Sequence, residues 1–263
     1  MNGAGNDFVM VDNRDGGIQL SGEQIARLCD RHRGVGADGL LAVEESRNAD
    51  ADYRMRYYNA DGGEAEMCGN GARCFARFAN RIGQHGRQPI QFETIAGIVS
   101  ARFVDGEVEI TLSDPFDLHL GAALLIDGTE RTVHSVNTGV PHAVMVVDDL
   151  EDIEIRQEGA AVRFHEHFQP AGTNVNFQMV LGADTIAIRT YERGVEDETL
   201  ACGTGMVANA IIHNQITGAE PPIHVQVQGG DTLMVSWQRD GEAYRNVTLT
   251  GPADFVFAGT IDV

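Results

Sequence analysis

The 263-residue sequence predicts an α+β fold of two pseudo-symmetric halves from an internal duplication, each half a curved, mostly antiparallel sheet wrapped around a central helix. Two observations carry that prediction. The first is that the chain is written twice. The run Gly3 to Asp12 lines up with Gly139 to Asp148, and Arg56-Tyr57 with Thr190-Tyr191. Cys68-Gly69-Asn70-Gly71 then lines up with Cys202-Gly203-Thr204-Gly205, and Thr111 to Pro115 with Thr248 to Pro252, all in the same order. The second is that each copy leads alternating strands toward one apolar helix and closes with short strands joined at Asp-Gly turns.

In chain order, Ser21-x-x-Gln24 is a capping box that opens a helix carrying Ile25, Leu28 and Cys29. Asp52 to Tyr57 alternates as a strand. Phe75, Phe78, Ala79 and Ile82 then fall at i, i+3, i+4 and i+7 of a helix that starts near Cys68 and stops at Gly83. Asp105-Gly106 marks a hairpin. In the second copy Arg131 to Asn137 and Thr185 to Thr190 alternate as strands. Val207, Ala210, Ile211 and Gln215, with Ala208 and Ile212 beside them, describe a helix buried on most sides that ends near Gly218. Asp240-Gly241 is the second hairpin. The halves are expected to be 1–116, carrying Cys68, and 117–253, carrying Cys202, with 254–263 returning to the first half. One strand has no counterpart: Arg131 to Asn137 precedes Gly139, whereas only Met1 and Asn2 precede Gly3. The expectation is that this partner strand is missing from the first half, leaving a sheet edge open, and that the native start lies upstream.

Composition excludes several functions. The 19 basic side chains face 39 acidic ones for a net charge of −20, which repels phosphate backbones and anionic lipid, so nucleic acid is not an expected partner. The longest apolar runs, such as His142 to Val147, fall far short of the roughly 20 residues of a spanning helix. The opening Met1-Asn2-Gly3 has no secretory pattern, and four cysteines cannot make a disulfide scaffold, so the expected setting is the cytoplasm with no membrane partner. Every basic residue is arginine. Without lysine neither a Schiff base nor a Walker A loop can be built.

Cys29 and Cys74 share faces with apolar neighbours and read as core. Cys68 and Cys202 differ, because each opens Cys-Gly-x-Gly at a helix start, where free amides and the positive dipole end favour an anion. Such placement lowers a thiol from about 8.5 into the range of ~3.5–7.5. Two such thiols presented to one cleft from opposite sides suit stereochemical inversion: a thiolate removes a proton from one face of a carbon while a thiol delivers one to the other. Amides at the helix ends would hold a carboxylate and the charge that builds on it, with no cofactor required. The bland alternative is a pair of tight glycine-rich turns. A dithiol redox protein is the rival from another class. A metal site is not expected: His32, His85, His165 and His167 show no ligand spacing, and His165-x-His167 reads as a solvated strand or loop.

Along essentially its whole length the chain resembles the diaminopimelate epimerases of lysine and peptidoglycan biosynthesis. The resemblance rests on Gly5-Asn6-Asp7-Phe8, on Tyr58 to Gly62 followed by Met67 to Arg73, and on Tyr191 to Gly194 followed by Ala201 to Gly205. It implies a cofactor-independent isomerase, a homodimer, that interconverts LL- and meso-2,6-diaminopimelate. By motif, Cys68 and Cys202 become base and acid, and Gly69-Asn70 with Gly203-Thr204 hold the reacting carboxylate. Asn6, Asn59, Asn174, Glu192 and Arg193 match substrate-binding positions, and His142 and Glu192 match groups that tune the thiols. Read without the family, Asn59 could shape a turn, Asn174 cap a loop, Arg193 form a surface ion pair and His142 sit in the core.

Two positions depart from the family pattern. Gly39 stands where many members have glutamine, and Val140 where many have asparagine before the Pro-His pair. Both would contact substrate. Proline and hydroxyproline racemases, which share the two-cysteine logic, are therefore the close alternative.

Overall fold

In the computed structural model, which describes residues 1–83 and 88–262, the chain forms two compact units. One comprises 1–111 together with the stretch from Thr250 onward, and the other spans Leu112–Leu249. His85 lies outside the described residues.

The first unit contains β1 (Asn2–Gly3), β2 (Asn6–Asp12), α1 (Gly22–Cys29), β3 (Gly39–Glu45), β4 (Tyr53–Asn59), β5 (Glu64–Ala65), α2 (Gly69–Gly83), β6 (Ile90–Thr94), β7 (Gly97–Val104) and β8 (Glu107–Thr111). Strand β2 runs parallel to β3, β3 antiparallel to β4, and β4 pairs antiparallel with β5 and parallel with β6. An antiparallel meander of β6, β7 and β8 follows. Helix α2 touches β1, β2, β3, β4, β7 and β8, so the sheet wraps it. Its buried side is set by Ala72, Phe75, Ala76 and Ala79, each fully inaccessible. Helix α1 begins at the capping box, Ser21 accepting from the Gln24 amide while Gln24 caps the Ser21 amide. It packs Ile25, Leu28 and Cys29 against Ala37, Leu40 and Ala42.

The second unit repeats this order. It holds β9 (Phe116–Ile126), β10 (Thr129–Asn137), β11 (Pro141–Val146), α3 (Ile155–Arg163), β12 (Asn174–Val180), β13 (Thr185–Glu192), β14 (Asp197–Thr199), α4 (Gly203–Thr217), β15 (Ile223–Gln226), β16 (Thr232–Asp240) and β17 (Ala243–Gly251), whose last residues pass into the first unit. Strand β11 is parallel to β12, β12 antiparallel to β13, and β13 antiparallel to β14 and parallel to β15, which pairs antiparallel with β16. Helix α4 touches β10, β11, β12, β13, β15 and β16. Met206 to Asn214 of α4 are all buried, which explains an apolar pattern broader than one face. Gly218 ends it in the left-handed conformation, φ 76°. No helix among the described residues is long and apolar enough to cross a membrane.

Three details differ from the sequence reading. Ahead of Gly3 a two-residue strand is present, and its outer edge is not open: Asn2 and Gly3 pair with Asp7 and Asn6, Met1 and Phe8 exchange two backbone hydrogen bonds, and Asn2 exchanges two more with Asp254. In the second unit the corresponding β10 is nine residues long. His167 lies in a short 3-10 turn, Glu166–Phe168, which His165 caps from the preceding loop. Helix α3 carries no strong sequence signal, since only Ile155, Gly159 and Val162 of it are buried.

Candidate active site

Each unit places one cysteine at the start of its central helix. Cys202 is the N-cap of α4, with extended backbone, and its carbonyl accepts from the Met206 amide at 2.9 Å. Cys68 immediately precedes α2 and its carbonyl accepts from the Ala72 amide at 2.7 Å. The same first-turn bond closes both helices. In each case the amides of the next residues face outward from the helix end, where an anion is favoured. The other two cysteines are packed away: burial pushes the Cys29 thiol up to about 11 and the Cys74 thiol up to about 12. They are core, as their spacing indicates.

In the first unit Asn70 is tied on both sides. Its amide nitrogen donates to Asn6 Oδ1 at 2.5 Å and its oxygen accepts from the Arg73 guanidinium at 2.9 Å. Arg73 is fully buried on α2 and donates also to the carbonyls of Gly69 and Pro252. Asn6 passes the chain on to Asp38 at 3.0 Å. Asp38 shares Arg31 with Asp7, each contact 2.8 Å. Partial burial raises the Asp7 carboxyl, but the hydrogen bonds and charge of Arg31 outweigh it and hold the group below its ordinary range. Asn59 ends β4 exposed, its backbone closing a turn with Gly62 and Gly63. Gly39, opposite Asn59 in the β3–β4 register, is buried; a Cβ there would meet the Tyr58 carbonyl at 2.5 Å and the Tyr57 ring at 2.9 Å. A glutamine at this position therefore requires both the Tyr58 backbone and the Tyr57 ring to move.

In the second unit Thr204 Oγ1 lies 2.9 Å from His142 Nε2 and 3.6 Å from Cys202 Sγ, and the Thr138 hydroxyl donates to the Thr204 carbonyl at 2.9 Å. His142, on β11, is fully buried, and that burial, assisted by the Arg193 charge, pushes its pKa down to about 3, so the ring is neutral. Asn174 spends its amide on structure, donating to the Pro141 carbonyl at 3.1 Å and accepting from the Arg193 backbone at 2.8 Å. The Arg193 guanidinium donates to the Ala171 carbonyl at 3.1 Å. Burial pushes the Glu192 carboxyl up. Val140 precedes Pro141 half-buried.

The structure thus gathers Asn6, Gly69 and Asn70 around the start of α2, and His142, Gly203 and Thr204 around the start of α4; Asn174 and Arg193 form a second cluster beside Pro141, while Asn59 stands in an exposed turn. Residues that the sequence reading gave no role are Arg73, Asp38, Thr138, Thr190 and Asn176. For Asn176 the available signal was a polar residue at alternate positions of a strand whose other positions are apolar, as in Asn174-Val175-Asn176-Phe177.

In each unit an antiparallel-rich stretch of sheet wraps one helix, an architecture that recurs among solved structures. Among solved structures, a probable proline racemase from Agrobacterium radiobacter matches with a TM-score of 0.68 at 19% identity, over 90% of this chain and 80% of that one. A phenazine biosynthesis protein of the PhzF family from Bacillus anthracis matches at 0.69 and 16%, over 95% and 91%. The sequence is more specific: the diaminopimelate epimerase family profile matches residues 1–114 and 134–256. The chain is 41% identical to the diaminopimelate epimerase of Aquifex aeolicus, over 99% of this chain and 96% of that protein. It is also 41% identical to that of Chlorobaculum tepidum, over 99% of each. The chain belongs to the diaminopimelate epimerase family.

Proposed function

We propose that this chain is an isomerase that epimerises LL-2,6-diaminopimelate to the meso form by two-cysteine acid/base chemistry, without a cofactor. The observation that carries the reading is family membership at 41% identity over nearly the full chain, together with the retention of both Cys-Gly-x-Gly helix starts. One thiolate takes the α-proton and the other thiol returns one to the opposite face, with Cys68 and Cys202 in the two roles. The Gly69-Asn70 and Gly203-Thr204 amides hold the reacting carboxylate and the negative charge that grows on it in the transition state. Asn6, Asn59, Asn174, Glu192 and Arg193 bind the remainder of the substrate, and His142 and Glu192 tune the thiols. Arginine is suited to the distal carboxylate because its planar guanidinium can donate twice to one carboxylate. The halves 1–116 and 117–253 with the returning tail 254–263 each bring one thiol. The same reading makes the protein a cytoplasmic homodimer serving lysine and peptidoglycan synthesis, with no nucleic-acid partner.

The test is uptake of solvent deuterium by LL-diaminopimelate with no added cofactor, run beside proline, hydroxyproline and lysine. Strong preference for diaminopimelate, and a rise in KM when Arg193 becomes alanine, are expected. Comparable kcat/KM for proline would reject the assignment in favour of a proline-type racemase.

A further inference from the structure

We propose that Asn176 is a positioning residue which fixes the hydrogen-bond direction of the His142–Thr204 pair, so that the Thr204 hydroxyl donates to Cys202 and Cys202 is the thiolate of the resting enzyme, the reverse of the base and acid order that the motif resemblance implies. The inference rests on the functional reading above only in taking Cys202 as an acid/base group.

The direction follows from an end that has a single polarity. Asn176 is fully buried on β12, and its side-chain nitrogen lies 2.9 Å from the Ala143 carbonyl, which can only accept. That contact fixes which end of the amide is NH₂; the reverse placement would set two acceptors against each other. The Asn176 oxygen, at the other end, accepts from the Thr190 hydroxyl at 2.9 Å. The second amide hydrogen of Asn176 points to His142 Nδ1 at 3.1 Å, so Nδ1 is an acceptor and carries no hydrogen. A neutral imidazole with a bare Nδ1 carries its hydrogen on Nε2. That hydrogen goes to Thr204 Oγ1, 2.9 Å away. Thr204, having accepted, has its own hydroxyl hydrogen to give, and the neighbour on that side is Cys202 Sγ at 3.6 Å. The relay runs from the Ala143 backbone to the sulfur without a reversible link. A donor aimed at sulfur favours the thiolate. Gly205 makes room for it, since a Cβ there would meet Asn176 Oδ1 at 2.7 Å and Cys202 Sγ at 3.3 Å.

The ionisable member of this chain is His142 on β11, and the charge that bears on it is that of Arg193, just past β13; neither residue is altered in the test. The test measures the pH midpoint of Cys202 alkylation by iodoacetamide, followed on the Cys202 peptide by mass spectrometry, in protein without substrate. Thr204→Val is expected to raise the midpoint by about one unit, the worth of one hydrogen bond to a charged group. Thr204→Ser should restore it. Asn176→Asp should also raise it, because a carboxylate would put the hydrogen on Nδ1 and reverse both links. Should Asn176→Asp fail to fold, the tautomer is read in the parent by ¹⁵N NMR of histidine-labelled protein: His142 protonated at Nε2 supports the relay, and protonation at Nδ1 overturns it. An unchanged Cys202 midpoint in Thr204→Val overturns it as well. Since neither measurement needs turnover, a protein that shows the shift but fails to epimerise diaminopimelate upholds the relay and refutes the functional reading alone.

Discussion

Two residues beyond its cysteine, the first unit has Asn70, held between Arg73 and Asn6 in a chain that ends on the charged Asp7–Arg31–Asp38 cluster. At the same place the second unit has Thr204, held by a neutral histidine that is itself held by Asn176. Their backbones are alike: the same strand order, the same helix wrapped by the sheet, the same cysteine carbonyl closing the first turn. What differs is the side-chain network behind the helix start. Backbone repeats because strand pairing and helix burial allow few alternatives once the apolar periods are fixed. The polar groups behind each helix need only satisfy one another, and a charged set and an uncharged set both do so. A duplicated scaffold can therefore give its two thiols different surroundings while presenting them in the same way.

The comparison is tested most severely at the thiols. Cys68→Ala and Cys202→Ala should each lower turnover by about a hundredfold or more, the lower bound for general acid–base assistance. Cys29→Ala and Cys74→Ala should instead lower the melting temperature, with activity per folded molecule retained, since both sit in packed core. Steady-state epimerisation beside thermal denaturation separates the two outcomes. A single Cys68 or Cys202 variant that keeps more than a few per cent of turnover would break the idea that each half contributes one indispensable group.

A smaller effect is expected at the glycines that follow. A Cβ on Gly205 would lie 2.7 Å from Asn176 Oδ1, an oxygen already fixed by Thr190, and 3.3 Å from Cys202 Sγ. A Cβ on Gly71 would meet Leu41 and Phe8 at 3.3 to 3.5 Å, close but apolar and able to yield. Gly205→Ala should therefore cost about 1–3 kcal/mol through overpacking, and turnover with it. Gly71→Ala should come near neutral, because alanine returns up to about 1 kcal/mol of helix propensity. Equal losses in urea denaturation would mean that the two helix starts are equally crowded and that the contrast drawn from Asn176 is wrong.

Most of the frame was legible because it repeats. Matching Cys68-Gly69-Asn70-Gly71 to Cys202-Gly203-Thr204-Gly205 located both helix starts, and Phe75, Phe78 and Ala79 oriented the first helix. Helix α3 was not legible: Gly159 sits in its middle, where propensity argues against a helix, and the reason for that glycine is tertiary, since a Cβ would run into the Tyr191 side chain at 2.5–2.9 Å. Asn176 was missed for a related reason. A buried asparagine in a strand looks like an exception to the apolar pattern until Ala143, His142 and Thr190 are seen around it, and those partners come from two other strands. Periodicity reports which face is buried; it does not report which polar groups meet there.

The smallest expected effect is the dependence of stability on pH, where the charged and neutral networks should differ in sign and window. His142 is held neutral, with a pKa pushed from 6.5 down to about 3. Between those values the unfolded chain binds a proton at this site that the folded chain does not. Stability from His142 is therefore present above 6.5 and falls as the pH falls, by up to about 1.4 kcal/mol per unit. His134, also pushed down by burial, acts in the same direction, and Glu192, pushed up, acts in the opposite one, since its contribution is lost as pH rises above its ordinary 4.5. Asp7 in the first unit is held below 3.8, so what it contributes is retained until the pH falls below that value. Acidifying from 7 to 5 should then weaken the second unit and leave the Asp7–Arg31 contribution of the first intact. The single tryptophan, Trp237 on β16, lies buried in the second unit and reports on it. Urea titrations followed by Trp237 fluorescence should show parent stability falling between pH 6 and 5 more steeply than that of His142→Gln, by about 1 kcal/mol. Superimposable slopes would mean that His142 takes up its proton without unfolding, and that the second network is no more sensitive to acid than the first.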